Sequence, residues 1–337
     1  MKKIYFFILH FLCISTLTFP ALPVTQPRVT VWIHGTQPNK LFPAVDFIKE
    51  ISSFQDFIPK LTYIPGLASI QEAPSDLYVQ AIARSLSDAN PELFPYEHFY
   101  QFGWDGDATV PIRRASGYQL YQALKNLVLK YAQEYGSIPI ITLISHSHGG
   151  NVLLHMHEAY LLDKTEPTLL VDRAVLLACP IQTETIAHVT SPLFRSILNI
   201  YSENDMIQII DPQWVQPFIG LDKKGFSTAW KAAMSRPWFS KRTIPQLPNI
   251  KNIQVSWCSG APWDDCMAYM TKNQIKIFKA MSDTADFFST KRGLSHIEIQ
   301  LPFFLKHIPA IMHLADEHAQ STKTKIVLEG KVAFQIT

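Results

Sequence analysis

Charge is scarce in this sequence, and no sign of it dominates. Lys, Arg, Asp and Glu make up 17% of 337 residues, and the formal net charge is +2. A chain so near neutrality lacks the basic excess that neutralises phosphates, so nucleic acid is not an expected partner. Repeats at solenoid or propeller periods are missing, and 23 Pro argue against a helical repeat array. Cysteine is sparse too: there are four, with no C-x-x-C pair, which excludes the usual structural zinc frameworks. What is present is globular: 47% of residues are hydrophobic, and the length suits one large domain or two ordinary ones.

The chain starts Met1-Lys2-Lys3, continues in an apolar run from Ile4 to about Phe19, and then reads Pro20-Ala21-Leu22-Pro23. That is the layout of a secretory signal peptide over residues 1–23, with an uncleaved anchor as the alternative. The run, about 16 residues, falls short of the roughly 20 that span a bilayer comfortably. The expectation is therefore an exported protein, periplasmic, secreted or held to a membrane by its leader. Cys179, Cys258 and Cys266 remain beyond the leader. Cys258 and Cys266 could close a short disulfide loop, whereas Cys179 follows the apolar run Ala174 to Ala178 and reads as core.

Short apolar segments read as buried strands at Val29 to Ile33, His98 to Phe102, Ile138 to Ile144, Ala174 to Ala178, Ile197 to Tyr201 and Ile250 to Val255. Clean two-residue alternation is mostly missing, as expected of a parallel sheet covered on both faces. Helices are predicted at Ser75 to Leu86, opened by Pro74-Ser75-Asp76 as a cap; at Arg113 to Tyr135, with Leu120, Leu124, Leu127 and Tyr131 on one stripe; and at Gly149 to Leu162. The expected fold class is thus α/β: a single doubly wound, mostly parallel domain over residues 24–337. Residues 211–249, with Trp214, Phe218, Phe226, Trp230, Trp238 and Phe239, read as an inserted aromatic cap. Ser259 to Arg292 is a second stretch outside the alternation, and 325–337 reads as a hairpin turning at Glu329-Gly330.

Chemistry concentrates in Ile141-Thr142-Leu143-Ile144-Ser145-His146-Ser147-His148-Gly149-Gly150, where a strand runs into a helix through one tight turn. A nucleophile at the tip of such a turn sits in strained backbone with its hydroxyl exposed, and the positions two before and two after it must be small. Ser145 and Gly149 satisfy this around Ser147. Residues Ser145 to Gly150 resemble the G-x-S-x-G elbow of the α/β-hydrolase superfamily, particularly its lipase and serine-esterase branches, with Ser145 replacing the first glycine. The strand end His34-Gly35-Thr36 resembles the His-Gly dipeptide that closes a lipase strand. The resemblance implies that the backbone amides of Thr36 and His148 form an oxyanion hole.

The family order of serine, acid, histidine implies an acid after the strand Ile197 to Tyr201. Asp205 is the choice there, with Glu203 its nearest rival and Asp211 a weaker one. For the base, His296 in Gly293-Leu294-Ser295-His296 lies downstream in a glycine-led loop, while His307 and His313 fall on an apolar helical segment. The implied function is an exported serine hydrolase that cleaves carboxylic esters through an acyl-enzyme on Ser147. The aromatic cap favours a lipid-like substrate and peripheral membrane contact. A thioesterase, amidase or acyltransferase would use the same machinery, and a non-catalytic lipid- or partner-binding protein of the same fold is the alternative from another class. No organic cofactor and no metal is expected: His155-Met156-His157-Glu158 does not make H-E-x-x-H, and histidines two apart point to different helix faces.

Overall fold

A computed structural model describes residues 26–37, 63–107, 109–203, 205, 243–245, 247–257, 298–300, 302–317, 325–328 and 332–336. The elements are β1 (Arg28–Ile33), β2 (Gly66–Ser69), α1 (Tyr78–Ala89), β3 (Phe99–Gly103), α2 (Val110–Tyr135), β4 (Ile140–His146), α3 (Gly149–Leu162), β5 (Arg173–Leu177), β6 (Ile197–Tyr201), β7 (Ile250–Trp257), α4 (Pro302–Leu305), α5 (Ile308–Glu317), β8 (Lys325–Leu328) and β9 (Val332–Ile336). Among the described residues the strands form one sheet in the order β2-β3-β1-β4-β5-β6-β7-β9-β8. The run from β3 to β7 is parallel; β2 on one side, and β9 with β8 on the other, are antiparallel.

The strands lack simple alternation because both faces are buried. In β1, Val29, Val31 and Ile33 join one core layer and Trp32 joins the other; in β5, Ala174 and Leu176 oppose Val175 and Leu177. The first layer is closed by α2 and α3, through Leu120, Leu124, Leu127 and Tyr131 on α2 and Val152 to Met156 on α3. The second is closed by α1, α4 and α5, through Val79, Ile82 and Leu86, Phe304 and Leu305, and Ile308 to Met312. The molecule is a mixed α/β fold with a mostly parallel sheet covered on both sides.

Two helix starts differ from expectation. Pro74-Ser75-Asp76 does not cap α1: Leu77 N–H donates to Pro74 O at 3.1 Å, closing a separate turn, and the helix begins at Tyr78 with no side-chain cap. The second helix begins at Val110, not Arg113. Pro111 sits in its first turn, where a missing N–H costs nothing, and Gly136 ends it in the left-handed region at φ 67°.

The C-terminal strands pair with each other, and β9 lies on β7 with Ile253 opposite Ile336 and Trp257 opposite Val332. Cys179 is fully buried in the first layer. The leader, Cys258 and Cys266, the aromatic residues assigned to the cap, and Ser259 to Arg292 lie outside the described residues. No helix among the described residues is long and apolar enough to cross a membrane.

The chain order contains a reversal of winding. From β1 the chain moves outward through edge strand β2 and α1 to β3; it returns through α2 to β4 on the other side of β1 and then steps away through β5, β6 and β7. The direction of winding therefore reverses between β1 and β4, and α1, which leads into β3, and α3, which follows β4, cover opposite faces. In open α/β sheets the space beyond the carboxyl ends at such a reversal is where ligands bind.

Candidate functional site

The residues at that reversal are His34-Gly35-Thr36 after β1 and Ser147-His148 after β4. Ser147 has φ 53°, a left-handed conformation uncommon for a side chain with a Cβ. It is held there from several sides. Its N–H donates to Leu177 O of β5 at 2.9 Å, its carbonyl accepts from Gly150 N–H at 3.0 Å, and His148 O accepts from Val152 N–H at 3.1 Å as α3 begins. Ser147 is 7% exposed. The turn thus holds one hydroxyl-bearing residue at the amino end of a 14-residue helix, whose dipole favours negative charge there.

Small residues make this geometry attainable. A Cβ on Gly149 would lie 2.4 Å from His34 O, and one on Gly150 2.4 Å from Cys179 Sγ. Gly35 is equally constrained: a Cβ there would meet Ser147 Cβ at 2.8 Å, so the β1 exit loop lies directly against Ser147. Ser145 is fully buried, and its Oγ donates to Val175 O at 3.2 Å. The hydroxyl thus satisfies the neighbouring strand where a glycine would leave that carbonyl to others.

His34 fastens the β1 exit. Its Nε2 accepts from Trp104 N–H at 3.1 Å, and its carbonyl accepts from Trp104 Nε1–H at 2.7 Å. With Nε2 accepting, the ring proton is on Nδ1, which donates to Gly35 O at 2.7 Å. The ring stacks on Tyr63 at 4.0 Å, and burial holds its pKa down at about 4. Gln37 N–H donates to Gly106 O at 3.1 Å, so the aromatic-glycine turn after β3 braces the loop on both sides of Thr36. Thr36 is half-buried, and its Oγ1 has no hydrogen-bond partner among the described residues.

Beneath His148 runs a buried polar chain that the sequence reading does not contain. Arg113, wholly buried on α2, donates from Nη1 to His148 Nδ1 at 3.0 Å and from Nη2 to Glu184 Oε1 at 3.2 Å. Asn151 donates to Pro180 O at 3.0 Å and accepts from Thr185 Oγ1 at 2.7 Å. Because guanidinium keeps its protons, His148 Nδ1 is an acceptor and the ring proton lies on Nε2. Only the packing of α2 on α3 reveals the bond from Arg113 to the residue that follows Ser147.

No family model matches the chain, and no curated protein matches it. Among solved structures, one described as a lipase-esterase related protein from Clostridium acetobutylicum ATCC 824 is similar at 14% identity, over 62% of this chain and 60% of that chain, with a TM-score of 0.19.

The remaining expected residues divide by burial. Asp205, beyond the end of β6, is 1% exposed, and its N–H donates to Ser202 O at 3.2 Å, whereas Glu203 is exposed. Strand β6 is two strands from β4, about 10 Å at sheet spacing, and ends on the same edge. Asp211 and His296 lie outside the described residues. His307 is buried just before α5, and His313 on that helix is exposed, 3.3 Å from Glu317.

Proposed function

We propose that the chain is an exported serine hydrolase of the α/β-hydrolase type that cleaves carboxylic esters through an acyl-enzyme on Ser147. The observation that carries this reading is Ser147 in left-handed backbone between β4 and α3, at the winding reversal and against Gly35. A fold holds a serine at a cost of about 1–3 kcal/mol in such backbone where its hydroxyl has a use.

In this mechanism His296 takes the Ser147 proton as Oγ attacks the acyl carbonyl. The Thr36 and His148 amides receive the developing oxyanion, assisted by the amino end of α3. His296 then protonates the departing alcohol, and water attacks the acyl-enzyme to release the acid. Asp205 orients the imidazole and stabilises its cationic form; its burial, against the exposure of Glu203, supports it as the acid. The aromatic residues of 211–249 favour an apolar acyl group and contact with a membrane surface.

The test is a fluorophosphonate probe on the purified chain, read by intact mass. One adduct on the wild type is expected, with none on Ser147→Ala or His296→Ala. Asp205→Asn should slow ester turnover by roughly 10³–10⁴-fold, with Glu203→Gln near wild type. A folded wild type that takes no adduct, or a Ser147→Ala variant that hydrolyses esters as fast as wild type, would overturn the reading in favour of a binding protein. A preference for short soluble esters with no turnover of long-chain ones would remove the lipid assignment alone.

A further inference from the structure

Away from Ser147, three metal-ligating side chains converge on the outer part of α3. His155 and Glu158, three residues apart, share a helix face. The third, His188, comes from the 3₁₀ turn Ile186–Thr190 that follows β5 and packs on α3. His155 Nδ1 is 3.1 Å from Glu158 Oε1, and His188 Nε2 is 3.9 Å from the same oxygen. One ligand atom from each of the three lies within 4.8 Å of the others.

The environment suits a cation with nitrogen ligands. His155 is 1% exposed, and it faces Glu158 Oε1 through Nδ1 while His188 faces the same oxygen through Nε2. Arg114 Nε lies 2.9 Å from Glu158 Oε2 and donates to Oε1 at 3.1 Å, so it fixes the carboxylate through both oxygens.

We propose that His155, Glu158 and His188 bind a divalent transition-metal ion of the zinc class, which ties α3 to the 3₁₀ turn Ile186–Thr190. Two imidazoles and a carboxylate match zinc and its neighbours; calcium and magnesium take oxygen ligands. At Zn–N and Zn–O distances of about 2.0–2.1 Å, tetrahedral ligand atoms stand roughly 3.3 Å apart, so the widest pair must close by about 1.5 Å. Both Glu158 distances are shorter than 4.8 Å, so the widest pair is the two imidazoles, and the His188 ring on its short turn is the group that closes toward His155. His155 is six residues into α3, about 9 Å along its axis from Gly149, so the ion is structural and apart from Ser147. Helix α3 alone does not disclose the site, because His155 and His157 diverge and the third ligand lies thirty residues beyond Glu158.

The full chain, purified without a polyhistidine tag and stripped with chelator, is equilibrated with excess Zn²⁺ and its metal content measured; Co²⁺ replaces Zn²⁺ for visible spectroscopy. One ion per chain and Co²⁺ ligand-field bands are expected, with a thermal midpoint that rises on Zn²⁺ addition. Glu158→Gln and His188→Gln should each weaken binding roughly tenfold or more. His313→Gln, which removes an exposed histidine paired with Glu317, should leave it unchanged. Circular dichroism checks that each variant is folded, and Glu158→Gln decides the matter if His188→Gln is not. Substoichiometric binding to wild type, binding undiminished by Glu158→Gln, or an equal loss in His313→Gln would overturn the proposal.

Discussion

At Ser147 the backbone opposes the side chain it carries. A left-handed residue with a Cβ is disfavoured by about 1–2 kcal/mol, while glycine tolerates the same φ at an entropic cost of about 0.5–1 kcal/mol. Ser147→Gly should therefore abolish probe labelling and raise stability by roughly 0.5–1 kcal/mol in urea unfolding. His34 makes a second prediction. Its folded pKa, about 4, lies below the 6.5 of the unfolded chain, so between these values the unfolded state binds a proton that the folded state refuses. Its contribution is complete above pH 6.5 and is lost as pH falls toward 4, by about 3 kcal/mol. His155 shifts in the same direction. His34→Gln, whose amide can donate to Gly35 O and accept from Trp104 N–H, should flatten the urea-unfolding profile across that window without changing its high-pH plateau.

The elements around Ser147 are set by contacts too close for a methyl group. Gly149→Ala would drive a Cβ into His34 O, a backbone atom with no rotamer to escape through, and should destabilise by about 1–3 kcal/mol while displacing the elbow. Thermal unfolding and ester turnover would report the two effects separately. The alternation of strands and helices is legible in the sequence because apolar runs and the Leu120, Leu124, Leu127, Tyr131 stripe record which surfaces must be covered. The elbow is legible for a related reason: small residues at 145 and 149 flank a serine where a strand meets a helix. The Trp104 clamp on His34, the Arg113 bond to His148 and the meeting of His188 with His155 are not legible. Each joins side chains 30 to 70 residues apart through packing between elements, which no local period encodes.

For the whole molecule, the edges of the sheet matter most. Strand β7 pairs with β6 on one side and is covered on the other by β9, with β8 beyond. Removing 325–337 would leave an eight-residue strand with a free row of backbone donors and acceptors, a template for pairing with another chain. The truncated protein should elute as concentration-dependent oligomers by size exclusion, whereas the intact chain keeps one elution volume over the same range. The same arrangement has a consequence in time. Seventy-four residues separate Trp257 from Val332, and at about 5–20 residues per second a ribosome needs roughly 4–15 s to make them. Throughout that interval each growing chain carries its longest outer strand uncovered, so adjacent ribosomes on one message hold identical open edges side by side. Yield in a cell should therefore depend on how densely the message is loaded, and on a chaperone that shields β7 until its own cover arrives.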